Sequence, residues 1–177
     1  MSHKPITINE ILRHSMHDFL NQMHLIQMNL DMGRQEEAKN LIHMYSQKCN
    51  QFFDINNAGL LKTNEWLQTF TMKYNHMTLD VQTSLLKRGA EKYDVALRDY
   101  LDRFVQSVYP NLRGYQEQLL KVHINSDELL EIFIEITGDW SPYSWMEEIS
   151  NELFRIERLV NTENQIKCKL IASERLE

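Results

Sequence analysis

The chemistry in this chain is concentrated in His14-Ser15-Met16-His17-Asp18-Phe19-Leu20-Asn21-Gln22-Met23. A His-Asp pair stands with an Asn four residues beyond the His, inside a strongly periodic helical segment. Residues four apart are neighbours on a helix, so His17 and Asn21 share one face. A neutral imidazole is a competent nucleophile near neutral pH. Fixed on a rigid rod and flanked by a carboxylate and an amide, His17 is suited to attack at phosphorus. Phosphoryl transfer asks mainly for in-line placement and for neutralisation of charge on the equatorial oxygens. Asp18 is expected to orient or polarise the imidazole, and Asn21 to position the attacking group or its target. His14 and His24 lie near the same stripe, with Leu20 at its edge, and these three are expected to contact a partner.

The rod that carries these residues is defined by Leu12, Met16, Phe19, Met23, Ile26 and Leu30, spaced 4, 3, 4, 3 and 4 apart. That alternation marks a helix–helix packing seam. With Met16 as an a position, Phe19 is d, His17 is b and Asn21 is f, so the candidate site lies beside the seam. The first helix is expected from Thr7 to Asp31, with Gly33 in a left-handed turn. A second helix is expected from Gln35 to Phe53, along Ala38, Leu41, Ile42, Tyr45, Cys49, Phe52 and Phe53. One hairpin cannot bury apolar stripes on all sides, whereas two hairpins from two chains close a four-helix bundle, so a homodimer is expected.

Asp54–Gly59 reads as a linker. Beyond it, Thr63–Lys73 is expected to be helical, with Trp66, Leu67 and Phe70 on one face. Met77–Leu86 alternates as a strand, and a long helix follows Gly89 to Tyr109, stopped by Pro110 and Gly114. Gln116–Ile124 and Leu129–Thr137 read as strands joined by Asn125-Ser126-Asp127. Ser141 with Pro142 suits the start of a short helix. Glu152–Val160 fits helix or strand, and Gln165–Ala172 reads as a final strand. The expected division is a helical hairpin over 1–57 and an α+β domain over 58–177, a sheet covered by helices.

The 177 residues are 42% hydrophobic, enough for a folded core, and carry a net charge of −6. No basic run suggests a phosphate-tracking surface, so nucleic acid is not an expected partner. No apolar run reaches a membrane-spanning length and no secretory segment precedes the first helix, so no membrane partner is expected. Cys49 and Cys168 have no CxxC partner and read as free thiols in a cytoplasmic protein.

His17-Asp18-Phe19-Leu20-Asn21, continued by Met23-His24-Leu25-Ile26-Gln27-Met28-Asn29-Leu30, resembles the phosphotransfer domain of histidine kinases. It is more closely similar to the sporulation initiation phosphotransferase B family. The order of elements after Thr78-Leu79 and the total length fit the same family. The resemblance implies a dimeric four-helix bundle followed by an α+β domain related to a kinase ATP-binding domain. It implies that His17 carries a phosphoryl group from the aspartate of a single-domain response regulator to that of a transcriptional one, in the relay that initiates sporulation. No cofactor is then expected on this chain, and Mg²⁺ belongs to the regulator's acidic pocket.

Two departures stand out. The helix Asp99–Gln106 lacks the Asn that holds Mg-ATP in kinases, and no DxGxG occurs. Gly138-Asp139-Trp140 does not replace it, because Trp occupies space where phosphates need close backbone approach. Gln22 stands where the family commonly has a basic residue. The rival readings are a non-catalytic helical dimerisation or adaptor protein, and a histidine kinase remnant that still binds ATP. A metal site from His14, His17 and Asp18 has no fourth ligand in view.

Overall fold

The structure, a computed structural model, describes residues 7–112, 117–139 and 152–176. The chain divides into two compact units, Met1–Asn50 and Gln51–Glu177.

The first unit is built on α1 (Ile8–Asp31) and most of α2 (Gln35–Asn57). Thr7 caps α1 with a capping box: its hydroxyl accepts from Glu10 N at 3.3 Å, and Glu10 Oε2 accepts from Thr7 N at 2.8 Å. Gly33, at φ 72°, ends the helix. Its N–H donates to Leu30 O at 2.9 Å and Arg34 N–H to Asn29 O at 2.8 Å, which satisfies carbonyls that α1 leaves open. Ala38 is buried in this unit, and Ile11, Gln22, Ile26, Asn29, Leu41 and Tyr45 are half-buried. Within one chain α1 has no fully buried residue. The seam residues Leu12, Met16, Phe19, Met23 and Leu30 remain exposed.

The second unit begins inside α2, before the boundary read from sequence. Asp54–Asn57, read as a linker, is helix. Phe52 and Ile55 explain this: Ile55 is fully buried and Phe52 packs against the same core. Asn64, on α3 (Leu61–Gln68), donates to Phe52 O at 3.1 Å and to Asn56 Oδ1 at 2.6 Å. Tertiary burial thus outweighs the poor helix propensity of two asparagines. The single helix expected over Thr63–Lys73 is two, α3 and α4 (Phe70–Lys73), broken at Thr69. The Thr69 hydroxyl turns back to donate to Glu65 O at 2.8 Å.

β1 (Thr78–Leu86), α5 (Glu91–Val108) and β2 (Leu119–Ser126) form a parallel crossover, with a 3₁₀ turn at Tyr109–Asn111 after α5. β3 (Leu130–Thr137), β4 (Phe154–Asn161) and β5 (Gln165–Ala172) add antiparallel strands in the order β1-β2-β3-β5-β4. Glu152–Val160, open between helix and strand in the sequence, is therefore mainly strand β4. The turn read at Asn125–Asp127 begins later, because buried Ser126 stays in β2 and its hydroxyl accepts from Lys87 N at 2.7 Å. The helix at Ser141 and Pro142 and the Gly114 stop lie outside the described residues.

The core of this unit joins α5 to one sheet face. Tyr93, Leu97, Tyr100, Leu101, Phe104 and Val105 bury against Leu120, Val122, Ile132, Ile134, Ile166 and Leu170. Asp94 on α5 ties down the start of α3, accepting from Lys62 N at 2.7 Å and Thr63 N at 2.8 Å. The fold class is α+β, helical at the N-terminus with a C-terminal mixed sheet.

Candidate functional site

His17 sits midway along α1 with its side chain 73% exposed. Asn21 Nδ2 lies 3.2 Å from His17 Nδ1. Helical side chains lean towards the helix N-terminus, so the amide of residue 21 falls back over residue 17. An amide nitrogen only donates, so in this arrangement Nδ1 accepts and Nε2 carries the hydrogen. A half-turn of the amide exchanges its ends. Oδ1 then accepts from Nδ1–H, and Nε2 carries the lone pair. In both arrangements Asn21 occupies Nδ1 and Nε2 faces outward.

Asp18 is shared between two imidazoles. Its Oδ2 lies 3.2 Å from His14 Nδ1, and its Oδ1 lies 3.8 Å from His17 Nδ1. His14 is thus the nearer partner, at the i, i+4 spacing that also joins His17 to Asn21. The second contact exceeds hydrogen-bond length. Sequence reasoning placed His14 among partner contacts and did not draw its link to Asp18, although the spacing signals it. Leu20 and His24 are exposed, one three residues and one seven residues beyond His17. No group of three or more His, Cys, Asp or Glu is placed to hold a metal ion among the described residues. His14, His17 and Asp18 form no such group.

In the second unit, the α5 stretch and the glycine singled out in the sequence are both engaged within the protein. Asp102, within the α5 stretch Asp99–Gln106, accepts from Trp66 Nε1 at 2.8 Å, Tyr74 Oη at 2.9 Å and Gln106 Nε2 at 2.7 Å. Burial and this carboxylate together push the Tyr74 phenol well above its ordinary range. A Cβ on Gly138 would meet the Gln118 side chain. Gln118 Oε1 also accepts from Asp139 N at 3.2 Å. The glycine thus serves a close approach within the protein.

The first unit is thus a helical hairpin with a solvent-facing imidazole on its first helix. Residues 2–58 match the family model described as sensor kinase SpoOB-type, alpha-helical domain. The match supports the SpoOB-type family, whose domain belongs to phosphorelay and sensor-kinase signalling and is associated with phosphotransfer in two-component systems. The family implies interaction with response regulators. No curated protein matches the chain. No described helix is long and apolar enough to cross a membrane.

Proposed function

We propose that this protein is a histidine phosphotransferase that relays a phosphoryl group between two response regulators through His17, in the phosphorelay that initiates sporulation. The observation that carries the reading is the imidazole itself, exposed on a rigid helix with Nδ1 held by Asn21 and Nε2 outward.

In the forward step Asn21 presents Oδ1 to Nδ1–H, and the Nε2 lone pair attacks the phosphorus of the donor's aspartyl phosphate. The Nε2–P bond forms, and the P–O bond to the aspartate breaks with its electron pair leaving on the carboxylate. The ring becomes a phosphorylated imidazolium, whose Nδ1–H is held by Asn21 and faces the Asp18 carboxylate. The acceptor's aspartate then attacks phosphorus, the N–P bond breaks, and the ring returns to neutral. Mg²⁺ is supplied by the regulator's acidic pocket. The donor is a single-domain regulator and the acceptor a transcriptional one. Each lays a helix along the hairpin beside His17 and covers His14, Leu20 and His24.

The exposed seam of α1 supports a homodimer in which two hairpins make a four-helix bundle, with two outward-facing copies of the site. The second unit is read as a kinase-ATPase-like domain that has lost its nucleotide. The engagement of Asp102 and the Gln118 side chain against Gly138 support this.

The test is transfer between two purified regulators, one loaded with labelled phosphate on its aspartate, with this protein or its His17→Ala form. Label that passes through the chain, is acid-labile and disappears in the variant supports the relay. Label that moves equally well with the variant overturns it in favour of an adaptor role. Self-labelling from ATP would instead support a kinase remnant.

A further inference from the structure

Arg13 is the sole Lys or Arg in α1. It precedes His17 by four residues, which places the two about 40° apart around the helix and one turn apart along it. The surface that a helical residue covers lies over the turn N-terminal to its own Cα. Asn21 follows that bias in reaching back to His17 Nδ1. The same bias directs the His17 side chain towards the turn that bears Arg13 and His14. With Nδ1 held by Asn21, Nε2 is the ring nitrogen left to carry a phosphoryl group.

The charges around Arg13 leave it unengaged. Glu10 Oε2 accepts from the Thr7 backbone and hydroxyl, each at 2.8 Å. Asp18 Oδ2 faces His14 Nδ1 at 3.2 Å. Arg13 itself is exposed and makes no hydrogen bond or ion pair among the described residues. The two carboxylates on either side of it oppose an incoming aspartyl phosphate, and Arg13 is the fixed positive charge on the same stripe. A guanidinium presents a planar fork that matches two phosphoryl oxygens at once.

We propose that Arg13 grips the equatorial oxygens of the phosphoryl group as it moves onto and off His17. The inference rests on the phosphohistidine reading above. It gives the site the charge neutralisation that phosphoryl transfer requires, from the chain's own α1.

The experiment is single-turnover transfer from a labelled regulator to the full chain, over a range of regulator concentrations, with wild type, Arg13→Ala, Arg13→Lys and His17→Ala. Arg13→Ala is expected to lower the rate constant at saturating regulator about tenfold, with the half-saturating concentration little changed. Recovery in Arg13→Lys assigns the effect to charge, and its failure to recover assigns it to the two-pronged fork; both support the grip. Circular dichroism of each variant checks that α1 stays helical. A saturating rate within about twofold of wild type overturns the proposal, and so does a loss confined to the half-saturating concentration, which marks a docking contact. Label retained by His17→Ala overturns the phosphohistidine reading itself, a separate result.

Discussion

In the proposed relay, the chemistry at His17 turns on which ring nitrogen is free, and Asn21 lies against Nδ1. Asn21→Ala is therefore expected to keep some transfer while slowing it about tenfold, because the ring loses the contact that fixes its rotation. Single-turnover rates check this, and a rate equal to wild type would dismiss the orienting role. The two thiols make a contrasting pair. Cys49 is exposed, whereas burial pushes the Cys168 thiol up to about 11 despite the Tyr100 hydroxyl 3.6 Å away. Alkylation of native protein at pH 8 followed by mass spectrometry should label Cys49 quickly and Cys168 only on unfolding. The same shift fixes a sign for stability. Between the ordinary thiol value of 9.0 and about 11 the unfolded chain has lost a proton that the folded chain keeps, so stability falls as pH rises through that window. Chemical denaturation at pH 8 and pH 10.5 reads the difference, and a higher midpoint at pH 10.5 would contradict it.

At the scale of elements, α1 carries a stripe of large apolar side chains that its own hairpin leaves in water. Phe19 is 52% exposed within one chain, so Phe19→Ala has little to remove from the isolated hairpin. In a four-helix bundle it removes a core side chain, at a cost of roughly 3–5 kcal/mol. Sedimentation equilibrium should show dissociation at concentrations where His17→Ala remains dimeric; dimers of equal strength would place Phe19 outside the interface. Asp94 makes a similar argument within the second unit. Asp94→Ala leaves the Lys62 and Thr63 N–H groups without their acceptor and should lower stability by about 1–3 kcal/mol in urea unfolding. These elements differ in how much of them the sequence disclosed. Helix α1, strand β1 and the last strand are carried by local periodicity and were legible. The end of α2 was not, because Asn56 and Asn57 look like a loop until Ile55 and Asn64 are placed against them. Nor was the break at Thr69, which depends on a hydroxyl turning back to a carbonyl. At the site, the 17–21 pair follows from helical spacing alone. The choice of Asp18 between His14 and His17 depends on side-chain rotamers that spacing does not determine.

For the whole molecule, the consequential feature is where one unit yields to the next. A division by secondary structure would cut after Asn57, at the end of α2. The packing divides the chain at Gln51, because the last turns of α2 supply Phe52, Ile55 and Asn56 to the second unit. Removing them exposes the face on which Ile55 is fully buried, and it leaves the buried Asn64 amide without its acceptors on Phe52 and Asn56. Burying one large aliphatic side chain is worth about 1.5–3 kcal/mol, and an orphaned buried amide costs about 1–3 kcal/mol more. Such losses are a large fraction of the stability of a domain this size. A fragment of residues 51–177 should therefore unfold cooperatively in urea, with the tyrosine and tryptophan near-ultraviolet dichroism of a packed core. A fragment of residues 58–177 should unfold at clearly lower urea or lose that dichroism altogether. Equal midpoints for the two would mean that the end of α2 is a linker after all, and that the second unit owes it nothing.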